Sequence, residues 1–134
     1  MPREIDHIAI AVSDLDASIA LYRSLFQLEV THREEVESFG VEVATLAVGK
    51  TEIELLAATS EASPIHKFVQ RRGPGLHHIA FAVEDIRREL ARLKKEGVRL
   101  IDDSPRRGKG RSLVAFIHPG SAHDVLYELV QRPA

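Results

Sequence analysis

The strongest constraint on this chain is a pattern that it states twice. His7-Ile-Ala-Ile-Ala-Val12 returns as His78-Ile-Ala-Phe-Ala-Val83, and Asp14-Leu15 returns as Asp85-Ile86. Both stretches alternate with period two, which predicts a strand each time. One face carries His7, Ala9 and Ala11, or His78, Ala80 and Ala82; the other carries Ile8, Ile10 and Val12, or Ile79, Phe81 and Val83. The bulky face can pack, and the small face leaves room. Helical spacing follows each strand, with Leu15, Ile19, Tyr22 and Phe26 in the first copy and Ile86, Leu90 and Leu93 in the second. Ser13 with Asp16 resembles a capping box, and Gly97 suits a helix stop.

The rest of each copy is alike. "GVEVATLAVGKTEIELLAA" reads as two strands turning at Gly49-Lys50, and "SLVAFIHPGSAHDVLYELVQ" as two strands joined around Pro119-Gly120. Each copy is therefore expected to be strand, helix and then three strands, an α+β arrangement of tandem βαβββ modules. The first module spans about 4–58 and the second about 76–131. Between them, "SEASPIHKFVQRRGPG" predicts a linker helix over about 62–73, started by Ser63-Pro64 and stopped by Gly73. The whole, 1–134, is expected to be a single domain.

Composition narrows the chemistry. The chain has no cysteine, so disulfides and thiolate chemistry are excluded and any metal must be held by His, Asp or Glu. A formal net charge of -2 argues against a general nucleic-acid or membrane binder. No apolar run is long enough to span a bilayer, and the first residues lack a signal-peptide layout, so a cytoplasmic location is expected. The last strand of each copy sets an acid before a leucine, Glu54-Leu55 and Glu128-Leu129. If the copies form a pseudo-twofold pair, His7, Glu54, His78 and Glu128 can converge in one cavity. Two imidazoles and two carboxylates suit a divalent metal. A lone strand histidine is more often structural, and it is the repeat that gives these weight. His77 aligns with Asp6 and points to the other face.

These features resemble the vicinal oxygen chelate superfamily across essentially the whole chain, and within it the methylmalonyl-CoA epimerase family. The resemblance rests on "IDHIAIAVSDLDASIALY", "IELLAATSEASPIHKFVQRRGPGLHHIAFAVEDI", "GVRLIDDSPRRGKG", and "FIHP" followed by "VLYEL". It implies a curved mixed sheet around a metal-containing cavity, a homodimer and an acyl-CoA substrate. It also implies a divalent ion, cobalt foremost with manganese, nickel or zinc as alternatives, held by His7, Glu54, His78 and Glu128. The implied reaction is epimerisation at C2 by proton abstraction through an enolate.

The chain departs from that family in three places. Where some members carry a glutamate base, this chain has Val43, with Glu42 next door on the opposite face. Glu54 or Glu128 is therefore expected to act as base, as in the glyoxalase branch. Members often read "HPK" and "GVL", against His118-Pro119-Gly120 and Asp124-Val125-Leu126 here. Lys67, Arg71 and Arg72, with Arg106, Arg107, Lys109 and Arg111, could compensate by meeting coenzyme A phosphates, although a helix end complementing its dipole and a solvated loop are the commoner explanations. His32, His66, His118 and His123 are read as structural. Two other functions fit the same scaffold: a glyoxalase I-like lyase acting on a glutathione hemithioacetal, and a metal-free binding or resistance protein.

Overall fold

The computed structural model of the chain describes residues 2–134; residue 1, where the expected domain span begins, lies outside the described residues. In chain order the elements are β1 (Glu4–Val12), α1 (Leu15–Phe26), β2 (Val30–Val36), β3 (Val41–Val48), β4 (Thr51–Ala58), α2 (Pro64–Arg72), β5 (Gly75–Ala82), α3 (Ile86–Lys95), β6 (Arg106–Arg107), β7 (Leu113–Ile117) and β8 (Tyr127–Gln131). The class is mixed α+β, with strand-helix-strand-strand-strand twice over. The chain divides into two compact units, one of His7–His77 and the other of the residues up to Asp6 with His78–Ala134. Among the described residues no helix is long and apolar enough to cross a membrane.

In the first unit the strand order is β2-β3-β4-β1. β3 and β4 form the antiparallel hairpin turning at Gly49-Lys50, β2 runs antiparallel to β3, and β1 lies parallel to β4. One face packs on α1 through Val12, Leu15, Ile19, Ala44, Leu46, Leu55 and Ala57. The other face gathers Ala9, Ala11, Val36, Val41, Val43 and Leu56 beneath Ile65 of α2. Alternation along each strand sends its residues to one cluster or the other.

Helix starts are set by short polar side chains. α1 is capped by Asp14, whose Oδ1 accepts from the Ala17 amide at 3.0 Å, so the Ser13 capping box is not what forms. Ser13 stands one residue too early to reach the third helical amide, and Asp14 is at the right place with extended backbone. The apolar stripe of α1 also ends sooner than its spacing predicts. Leu15 and Ile19 are buried, but Phe26 is 60% exposed in the last turn, beside the left-handed cap Gln27. At α2, the Ser63 hydroxyl accepts from the Ile65 amide, Pro64 opens the helix, and Gly73 closes it. Gly40 has φ +62, and a Cβ there would stand 3.2 Å from that of Ser63, so glycine lets the β2–β3 connection press against the start of α2.

The second unit has the order β5-β8-β7-β6, with β5 parallel to β8 and the remaining pairs antiparallel. Ile86 and Leu90 of α3 pack on Val83, Ala115 and Leu129. Asp85 caps α3 by accepting from the Arg88 amide at 3.1 Å, the counterpart of Asp14. The edge is where this copy differs. Its third element is a two-residue strand, preceded by a lone bridge from Leu100 to Ile117 and a hydrogen bond from the Phe116 amide to Asp102 Oδ2. Arg132, just past β8, closes a two-point ion pair on buried Asp6 at 2.7 and 3.0 Å.

Candidate metal and proton-transfer site

Strand register places the same pair of groups in each unit. In the first, Ala9 of β1 stands opposite Glu54 of β4, and His7 lies one alternation away on the same face. His7 Nε2 is 3.4 Å from Glu54 Oε1, and both side chains are almost fully buried. In the second, Ala80 of β5 stands opposite Glu128 of β8, and His78 Nε2 is 3.1 Å from Glu128 Oε1, again with both side chains buried. The alanines flanking each histidine, Ala9, Ala11 and Ala80, are fully buried and add little volume to that face.

The donor chemistry of these pairs fits a divalent cation. A buried carboxylate carries negative charge that burial penalises, and buried charges are compensated by pairing or by a bound metal ion. Imidazole nitrogen and carboxylate oxygen together suit zinc, cobalt, nickel or manganese better than a purely oxygen-ligated ion.

The neighbours of each pair differ between the copies. Glu54 faces Thr45 of β3, whereas Glu128 faces Phe116 of β7. The Phe116 ring meets the His78 imidazole edge-on, with centroids 5.1 Å apart. Its part in orienting His78 is invisible in the sequence, where Phe116 is one more apolar strand residue; only its register with Glu128 exposes it. His77 lies on the other face of β5 and packs edge-on against Phe68 of α2 at 4.8 Å.

Val43 is buried in the apolar cluster with Ala9, Ala11 and Leu56. Glu42 lies on the opposite face, where Arg33 bonds it at 2.9 Å and Asp16 of α1 at 2.8 Å. Those two hydrogen bonds, Glu42's first, hold the Arg33 guanidinium above its already high ordinary value. Of the other histidines, His118 accepts from the Gly120 amide through Nδ1 and so caps a short turn. His32 Nε2 lies 2.6 Å from Glu34 Oε1, a pairing that the sequence reading misses. Among the basic groups, Arg106 pairs with Asp102 at 3.0 Å, and Arg72 lies over the Phe68 ring at 5.5 Å.

The described geometry has close counterparts. Residues 6–116 match the family model of the Glyoxalase/Bleomycin resistance protein/Dioxygenase superfamily. The chain is 38% identical over 129 residues to the ethylmalonyl-CoA/methylmalonyl-CoA epimerase of Cereibacter sphaeroides, covering 95% of this chain and 96% of that protein. It is 35% identical to the mitochondrial methylmalonyl-CoA epimerase of Dictyostelium discoideum, covering 96% of this chain and 78% of that one. A methylmalonyl-CoA epimerase solved in complex with methylmalonyl-CoA and NH4+ superposes with a TM-score of 0.96 at 40% identity, covering 100% of this chain and 97% of that one. The chain thus belongs to the Glyoxalase/Bleomycin resistance protein/Dioxygenase superfamily, in the branch of the methylmalonyl-CoA epimerases.

Proposed function

We propose that this chain is an isomerase acting on an acyl-CoA, interconverting the 2R and 2S forms of methylmalonyl-CoA. The observation that carries the reading is the buried His–Glu pair at equivalent register in both copies, His7 with Glu54 and His78 with Glu128. It is supported by relatives of near-full-length similarity that bear this activity in their names. We read residues 1–134 as one domain of this kind, acting in the cytoplasm as a homodimer.

Epimerisation must remove the weakly acidic C2 proton and return one to the opposite face. A divalent ion, cobalt foremost, held by His7, Glu54, His78 and Glu128 would supply Lewis acidity to the charge that develops on the thioester oxygen. Glu54 and Glu128 are buried carboxylates, and one or the other is assigned as a base. One takes the C2 proton, the C–H electrons pass into the C1–C2 bond, and an enolate of the thioester results. Ala9, Ala11, Ala80 and Ala82 leave room for the acyl group. Arg106, Arg107, Lys109 and Arg111, with Lys67, Arg71 and Arg72, are assigned to the coenzyme A phosphates.

A two-substrate assay tests the reading. Purified protein loaded with cobalt should epimerise methylmalonyl-CoA and leave the glutathione hemithioacetal of methylglyoxal untouched. Turnover of the hemithioacetal alone would make the chain a lyase, and turnover of neither, with no metal retained, would leave a binding protein.

A further inference from the structure

The apolar cluster around Val43 leaves no acid on β3 to serve the second face of C2, and the neighbouring strand provides one. Register defines two rungs across the first unit on the face that carries His7. One runs Ala9, Glu54, Thr45, His32; the next runs Ala11, Leu56, Val43, Glu34. Apart from Glu54, small and apolar residues fill the middle of both rungs, and the outer ends are the imidazole and carboxylate that pair at 2.6 Å.

Their orientation comes from an irregularity in β2. Val30 pairs with Leu46 and packs on the α1 side, but the register shifts between Val30 and His32, so that His32 pairs with Thr45 and Glu34 with Val43. With regular pairing His32 would oppose Ala44 and Glu34 would oppose Glu42, both on the α1 side. A one-residue shift sends every later side chain to the other face, and such bulges recur beside active sites because they re-aim a side chain. Residues directly opposite in a ladder have Cβ atoms about 5 Å apart, so Glu34 stands directly beside Val43, the position at which β3 offers no acid. Glu34 is only part-exposed, at 29%, while His32 is half-exposed at 51%, so the carboxylate lies to the inside of its partner. Glu52 shares the face but stands on the far side of Glu54, opposite His7 and Ala47, away from the small-residue rungs.

We propose that Glu34 is the second proton carrier of the reaction and that His32 is its positioning residue. Resting on the epimerase reading above, the step is a proton transfer in both directions. The Glu34 carboxylate takes the C2 proton of one epimer while the C–H electrons pass into the enolate. In the reverse sense the Glu34 carboxylic acid returns a proton to that same face. A site carboxylate, Glu54 or Glu128, serves the other face.

The test follows each epimer of methylmalonyl-CoA separately in deuterated water with the metal-loaded full chain. Wild type should exchange C2 in both epimers and interconvert them. In Glu34→Gln, interconversion should fall about 10²-fold, the scale of losing a general base. One epimer should still exchange without inversion and the other should not. His32→Gln should show a smaller loss selective for the same epimer, and Glu35→Gln, on the opposite face, should match wild type. Normal rates in both Glu34→Gln and His32→Gln, or equal loss for both epimers, overturns the proposal. A wild-type protein that neither exchanges nor interconverts overturns the epimerase reading instead, and this proposal falls with it.

Discussion

At the scale of single residues, the two adjacent histidines of β5 are chemically identical and differ only in the face they occupy. His78 is buried with Glu128 and Phe116, whereas His77 rests on Phe68 of α2. Replacing His78 by alanine should strip most bound metal, measured by elemental analysis after gel filtration. Replacing His77 by alanine should leave the metal content unchanged and cost only the packing against Phe68. Equal metal loss in the two variants would show that the ligand has been assigned to the wrong face. Alternation alone separates these two residues in the sequence, because a period-two pattern fixes the face of every member once one member is fixed. The same logic keeps Glu42 away from the face of Val43. It fails for His32 and Glu34, because a bulge breaks the period and no residue in "VTHREEV" announces it.

At the scale of elements, strongly patterned strands are legible and edges are not. β1 and β5 alternate bulky with small residues and stand out, while β2 exposes polar groups along most of its length and carries no such signal. The edge of the second unit is harder still, broken into a bridge, an Asp102 hydrogen bond and two residues of β6. Helix caps show a related limit: Ser13 and Asp14 both have suitable side chains, and only backbone geometry selects Asp14. The connection from β7 to β8 holds two consecutive left-handed residues, His123 at φ 55 and Asp124 at φ 63. Side chains other than glycine pay a steric penalty in that region. His123→Gly and Asp124→Gly should therefore each raise stability by roughly 0.5–1 kcal/mol, a cost of the order seen for strained positions, or be neutral where the glycine's unfolded-state entropy offsets it. Urea denaturation midpoints at unchanged slope would read this, and a clear loss in both variants would mean that these side chains hold the turn.

At the scale of the whole molecule, one supersecondary plan written twice gives each unit a His–Glu pair in the same register, Ala9 with Glu54 and Ala80 with Glu128. The units diverge in what surrounds the pairs, among other places: Thr45 against Phe116, a continuous β2 against a broken edge, Glu34 opposite Val43 against Arg106 opposite Val114. Such asymmetry suits a reaction that must treat the two faces of one carbon differently while binding an anionic thioester. The central claim, that these pairs serve metal-assisted proton transfer at C2, is tested most directly by deuterium incorporation into methylmalonyl-CoA. The protein would be stripped with chelator, assayed in deuterated water, and assayed again after cobalt is restored. C2 deuteration should be at background in the stripped protein and return with metal, together with interconversion of the epimers. Deuteration that proceeds equally without metal, or that is absent after cobalt is restored, would contradict the account.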